Sequence, residues 1–258
     1  MKTIILAGGW GSRMGELADL VPKPMINIGS RPILWHIMQS YLKYGFKEFI
    51  IALGVKGDVI KDYFINYKNK VSDVEIDIQK DQIFYHINDK DRKLLTAKIT
   101  LVETGLNTLK GARIKRLQSY LGNDENFFLT YGDGLSDVNI QKLLKFHLEH
   151  KKIFTITGVR PSGRFGELKE HNNIVKSFKE KPKSNALING GFMVFNKGLL
   201  KYLNIRENCD LEYGALEKLA KLNQVSVFKH NGNWECMDHE RDVKYLNDLY
   251  ANKAAFWI

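Results

Sequence analysis

The chain alternates between compact apolar runs and amphipathic stretches. Residues 3–6 form a short continuous apolar run that ends in Gly8, Gly9 and Gly11, which predicts a buried strand entering a glycine-rich turn. Pro22 and Pro24 interrupt the loop that follows. Ile33, Leu34, Ile37, Met38, Tyr41 and Leu42 then recur at three- and four-residue spacing, which predicts a helix with Pro32 in its first turn. Gly45 closes that helix, residues 49–53 read as a second buried strand, and residues 59–67 as a second helix. Strand, helix, strand, helix is the opening of a mostly parallel α/β domain. Between 71 and 111 the pattern changes to apolar–polar alternation (Val74, Ile76, Ile78; Ile99, Leu101) around the charged segment 88–93, which predicts antiparallel excursions or a hairpin. A helix over 111–121, a strong strand over 127–131, a helix over 140–150 and a strand over 154–159 resume the alternation. Shorter strand-like pieces follow near Leu168, 174–178 and 192–195. Helices over 213–221 and 241–255, separated by a strand at 225–229, complete the pattern. No repeat, low-complexity tract or Ser/Gly/Pro linker divides the chain, so it reads as one catalytic-size unit.

Composition changes this picture little. The 258 residues are 44% hydrophobic, which rules out disorder as the chain's main character. Lys+Arg 39 against Asp+Glu 29 gives a net charge of +10, but 30 of the basic residues are Lys and 9 are Arg. Nucleic-acid binding predicts Arg interleaved with aromatic residues, and no such stripe or recognition motif is present. Cys209 and Cys236 are too few and too far apart for a disulfide framework or a Cys-based zinc site, and both are expected reduced. No run is long enough to span a bilayer, and the apolar opening is too short for a signal peptide. The expectation is a cytoplasmic protein with no membrane partner. Trp257 reads as the edge of a packed core.

Candidate chemistry gathers in four places. LAGGWGSR puts Gly8, Gly9 and Gly11 directly after a strand, where glycine lets backbone N–H groups approach a phosphate, and Arg13 adds charge. The spacing is wrong for a Walker A loop, and G-x-G-x-x-G is met only with Met14 in place of the last glycine. Lys23, between Pro22 and Pro24, delivers an ammonium from a stiffened backbone. Asp133 stands in Tyr-Gly-Asp-Gly after the strongest strand, the position where open α/β sheets gather ligands. Asp238 lies in a turn-like segment before the last helix. Two carboxylates suit Mg²⁺ when substrate phosphates and water complete its coordination.

The opening segment through residue 38, with YGDGLSDVNI and FKEKPKSNALINGGFMVFN, resembles the sugar-nucleotidyltransferases over practically the whole chain. PSGRFGEL and TGLNTLKGARIKR are similar to the branch of that family using CTP and a glucose 1-phosphate acceptor. Leu109 and Lys110 depart from the methionine and threonine usual there, and His239 replaces the usual threonine after Asp238. The resemblance implies a Rossmann-like, mostly parallel central sheet flanked by helices with antiparallel insertions. It implies one catalytic domain over 1–258, with nucleotide binding mainly in 1–135 and acceptor binding mainly in 160–240. It assigns the nucleotide to Leu6, Gly8, Gly9, Gly11, Ser12, Arg13, Lys23, Thr104, Gly105 and Arg113. The sugar 1-phosphate, or another small phosphorylated acceptor, falls to Glu180, Lys181, Asn189, Gly190 and His239. Mg²⁺ falls to Asp133 and Asp238, and the catalytic roles to Arg13, Lys23 and Asp133. A homo-oligomer is also implied.

Overall fold

The structure, a computed structural model, describes residues 1–15, 20–161, 166–180, 182 and 186–258. Seven strands build the central sheet: β1 (Lys2–Leu6), β2 (Glu48–Leu53), β3 (Lys98–Glu103), β4 (Asn126–Tyr131), β5 (Phe154–Val159), β6 (Ile188–Asn196) and β7 (Val225–Lys229). Their order across the sheet is β7-β5-β6-β4-β1-β2-β3. β1 pairs in parallel with β2 and β4, β2 with β3, and β5 with β7, whereas β6 runs antiparallel to both β4 and β5. The expected mostly parallel α/β sheet is therefore present, with one reversed strand near its middle.

The continuous apolar runs follow from burial on both faces. Ile5, Ile51 and Phe128 point into one core with the helices Ile33–Leu42 and Ile140–His150, while Ile4, Ile50, Phe127 and Leu129 point into a second core with Lys110–Arg116 and Ala215–Lys221. Trp257 is 2% exposed. Its indole N–H donates to His36 Nδ1 at 3.1 Å, so it is a core residue. Burial pushes the His36 pKa down to about 4, leaving a neutral ring that accepts this bond.

Several local expectations need correction. Pro32 precedes the helix Ile33–Leu42 and pairs with Asn27 in a short ribbon, because its ψ of 151° is extended. The segment 71–111 does contain an antiparallel hairpin, Ser72–Asp77 with Gln82–Ile87. Its remainder does not: the charged stretch forms the helix Asp89–Leu95, and Ile99 and Leu101 belong to β3, the parallel edge strand. Edge position explains the misleading alternation, since β3 is only partly covered on its faces. The helix expected over 111–121 spans Lys110–Arg116 and continues as a 3-10 turn at Gln118–Tyr120. The last helix ends at Ala251. No helix among the described residues is long and apolar enough to cross a membrane.

This topology brings distant segments to one edge. β1 and β4 are parallel neighbours, so Ala7–Gly8 and Gly132–Asp133 emerge side by side. β6 runs the other way, so its first residues, Asn189–Gly191, meet them there.

Candidate active site

A cavity of about 710 Å³ opens at that edge, in the size range of small-molecule sites. Its lining includes Leu6, Gly8, Gly9, Gly11, Ser12 and Arg13 on one side and Asn189, Gly190 and Gly191 on the other, with Lys23, Asp133 and Asp238 between them. Gly11 sits at φ +65°, a left-handed conformation that starts the 3-10 turn Ser12–Met14. Gly8 is required by crowding: a Cβ there would lie 2.3 Å from Arg113 Nη1 and 2.9 Å from the Gly54 nitrogen.

Lys23 begins a 3-10 turn, Lys23–Met25, entered through Pro22 at φ −65° and closed by the Met25 N–H donating to the Pro22 carbonyl at 2.7 Å. Its ammonium donates to Asp133 Oδ2 and to Asp238 Oδ1, each at 2.7 Å. Arg13 Nη1 stands 3.4 Å from Asp238 Oδ2. Burial opposes the Lys23 charge, but the Asp133 charge and the hydrogen bonds to both carboxylates outweigh it, so the lysine pKa lies above its ordinary value. Asp238 shows the converse balance. Burial would raise its pKa, yet Lys23, Arg13 and His239 hold it below the usual carboxylate range.

The two carboxylates, 105 positions apart, meet through a small ribbon. Gly134–Ser136 pairs antiparallel with Trp234–Cys236, and the Met237 N–H donates to the Asp133 carbonyl at 2.9 Å. Asp242, in the first turn of the helix Glu240–Ala251, accepts from the backbone N–H of Asp238 and of His239 at 2.9 and 2.8 Å, which fixes the turn.

Asp133, Cys236 and Asp238 each offer a ligand atom, and these atoms lie within 4.8 Å of one another. Two are carboxylate oxygens, the hard donors a small divalent cation takes. Burial and the adjacent Asp133 and Asp238 push the Cys236 thiol up, which leaves the two carboxylates as the better donors for a hard cation. The donor set fits a divalent cation that draws its other ligands from phosphate and water.

The remaining expected residues are placed differently. Arg113 borders the cavity, but its Nη1 donates to the Leu53 and Gly105 carbonyls and to Thr104 Oγ1, and its Nη2 to the Gly8 and Leu106 carbonyls, at 2.7–3.2 Å. Thr104 is fully buried behind the wall, donating to the Leu53 carbonyl. Neither Thr104 nor Gly105 lines the cavity; Leu106, Asn107, Thr108 and Leu109 do. Glu180 is exposed beyond the ribbon strand Ile174–Lys179, and neither it nor His239 lines the cavity. Lys181, and residues 162–165 of PSGRFGEL, lie outside the described residues. Sequence reasoning missed Trp10, Lys110, Tyr131 and Trp234, all of which line the cavity. The Trp234 indole N–H donates to the Gly190 carbonyl at 2.7 Å. Tyr131 was legible as the last residue of a strand aimed at the site; Trp10 and Trp234 carried no spacing signal.

A mostly parallel α/β sheet with a glycine-lined, cation-bearing cleft and a carboxylate pair at its strand ends defines a nucleotide-handling transferase. Comparison with known proteins makes this specific. The nucleotidyl transferase family model matches residues 2–238, and the chain belongs to that family. It is 42% identical over 258 residues to the glucose-1-phosphate cytidylyltransferase of Salmonella typhimurium, covering 100% of this chain and 98% of that protein. It is 38% identical over 257 residues to a Bacillus subtilis protein described as "probable glucose-1-phosphate cytidylyltransferase", covering 100% and 99%. Among solved structures, a UDP-glucose pyrophosphorylase complexed with UDP-glucose shares the fold at TM-score 0.70 and 16% identity, with 98% of each chain covered.

Proposed function

We propose that the protein transfers CMP from CTP to α-D-glucose 1-phosphate, giving CDP-glucose and pyrophosphate. The observation that carries this reading is the full-length likeness to glucose-1-phosphate cytidylyltransferase at 42% identity. The cleft supplies the chemistry. A phosphate oxygen of the sugar 1-phosphate attacks the α-phosphorus, forming the new P–O bond as the α–β bridging bond breaks and pyrophosphate leaves. That oxygen is already anionic near neutral pH, so the protein needs no strong general base, and its task is alignment and charge neutralisation. The glycine loop turns backbone toward the triphosphate. Arg13 and Lys23, both beside Asp238, neutralise the triphosphate and the departing pyrophosphate. Asn189 and Gly190 form the acceptor wall, with Lys181 assigned to the acceptor phosphate. Asp133 and Asp238 would hold Mg²⁺, which when bound supplies positive charge at the phosphates.

Pyrophosphate release, measured for CTP, UTP, dTTP and ATP against several sugar 1-phosphates and non-sugar phosphates, tests the reading. Release requiring CTP and glucose 1-phosphate together is the expected outcome. Equal release with every nucleotide would refute cytidylyl transfer, and poor use of glucose 1-phosphate beside another acceptor would refute the sugar.

A further inference from the structure

Four side chains, from two strands, a helix and a turn, form a hydrogen-bonded chain at the cavity wall. The Tyr131 hydroxyl, at the end of β4, donates to Glu212 Oε1 at 2.5 Å. The same oxygen takes Lys110 Nζ at 2.6 Å, and that ammonium lies 5.3 Å from the centre of the Tyr131 ring. Asn189 Nδ2, near the start of β6, donates to the Tyr131 hydroxyl at 2.9 Å, while Asn189 Oδ1 accepts the Gly191 N–H at 2.9 Å. The other carboxylate oxygen of Glu212 is buried without a hydrogen-bond partner. Tyr131, Lys110 and Asn189 line the cavity, and Glu212 does not.

The direction of every bond in this chain follows from Glu212. Glu212 Oε1 accepts the tyrosine O–H, which leaves the phenolic oxygen to accept from Asn189 Nδ2. The Gly191 N–H fixes the carbonyl end of the same amide. Asn189 is then held at both ends and still has one N–H and one lone pair. That is the donor–acceptor pair that one sugar hydroxyl satisfies.

We propose that Glu212 and Tyr131 are positioning residues for the acceptor, acting through Asn189. Lys110, whose partner is Glu212, offsets the carboxylate charge. The proposal rests on the reading of the acceptor as a sugar 1-phosphate.

A double-mutant cycle tests this. Tyr131→Phe and Glu212→Gln should each raise the acceptor KM about tenfold, while kcat and the CTP KM stay within about twofold. Asn189→Ala should raise the acceptor KM by a similar factor. In that background, adding Tyr131→Phe should change it less than about twofold, because the tyrosine acts only through the amide it holds. An unchanged acceptor KM in Tyr131→Phe, multiplicative effects in the double variant, or a joint fall of kcat, both affinities and Tm would overturn the proposal. Wild-type protein inactive with glucose 1-phosphate refutes the substrate reading separately, and the cycle is then run with the sugar phosphate the acceptor panel selects. A panel in which no sugar phosphate is used overturns both.

Discussion

Lys23 and Arg113 border the same cleft, one half-buried and the other buried, and they are spent in opposite ways. Arg113 is 4% exposed and gives its hydrogen bonds to the loops after β1 and β3 and to the last residue of β2. Those carbonyls are part of the backbone, and the Leu53 carbonyl also accepts from Thr104 Oγ1 at 2.6 Å, so the guanidinium works with Thr104 as a brace for the glycine loop. Lys23 gives its bonds to two carboxylates, whose charge is also available to another cation. Each partner in that trio is exchangeable when anionic substrate and a divalent cation enter. A buried cation's role is thus read from what it is bonded to rather than from its charge.

The two cations should separate most widely at the chemistry. Lys23→Ala and Asp133→Asn are each expected to lower turnover at least about 100-fold, the scale of losing an electrostatic contact made in the transition state. Their Tm values should remain within a few degrees of wild type; near-normal turnover in either variant would remove that residue from the catalytic set. Arg113→Met should show the reverse emphasis. It removes the guanidinium from the Gly8, Gly105 and Leu106 carbonyls and from the Leu53 carbonyl, which keeps Thr104, costing about 2–4 kcal/mol, or a Tm lowered by roughly 5–12 °C. An Arg113→Met protein with unchanged Tm and a greatly raised CTP KM would make the arginine a ligand contact instead of a brace. Gly8→Ala forces a methyl against the same guanidinium and should lower stability by about 1–3 kcal/mol. Denaturant melts of Gly8→Ala alone and with Arg113→Met distinguish shared from independent causes: a shared cause gives a double variant less destabilised than the sum.

The smallest expected effect is on pH dependence. Asp238 has a lowered pKa in the folded protein, so its stabilisation is present above the unfolded carboxylate value near 4 and is lost as pH falls through the folded value. Lys23 has a raised pKa, so its contribution is complete below the unfolded lysine value near 10.4 and disappears only as pH rises through the folded one. Thermal melts from pH 3 to 7 should show the gap between wild type and Lys23→Met narrowing below about pH 4. Parallel curves would mean that the Lys23–Asp238 contact contributes nothing to the folded state.

Much of the fold was legible because buried parallel strands announce themselves. The runs ending at Leu6, Leu53 and Tyr131 are continuous and apolar because both faces of β1, β2 and β4 are covered. The edge strand β3 was misread for the complementary reason, as its exposed positions imitate a hairpin. Gly8, Lys23 and Asp133 stood out because glycine and proline punctuation follows or brackets them. Asp238 was harder, since its meeting with Asp133 depends on a three-residue ribbon and a helix start that no local pattern predicts. Glu212 was invisible. Its partners Lys110, Tyr131 and, through the tyrosine, Asn189 are drawn together by the reversed direction of β6 and by packing across the sheet edge.

The proposed reaction joins CMP to a sugar phosphate with displacement of pyrophosphate. Product analysis after incubation with CTP and α-D-glucose 1-phosphate tests it most directly. The expected result is CDP-glucose and pyrophosphate in equal amounts, no pyrophosphate when either substrate is omitted, and loss of both products in Asp133→Asn. Pyrophosphate released without glucose 1-phosphate, or CDP-glucose formed at an undiminished rate by Asp133→Asn, would contradict it.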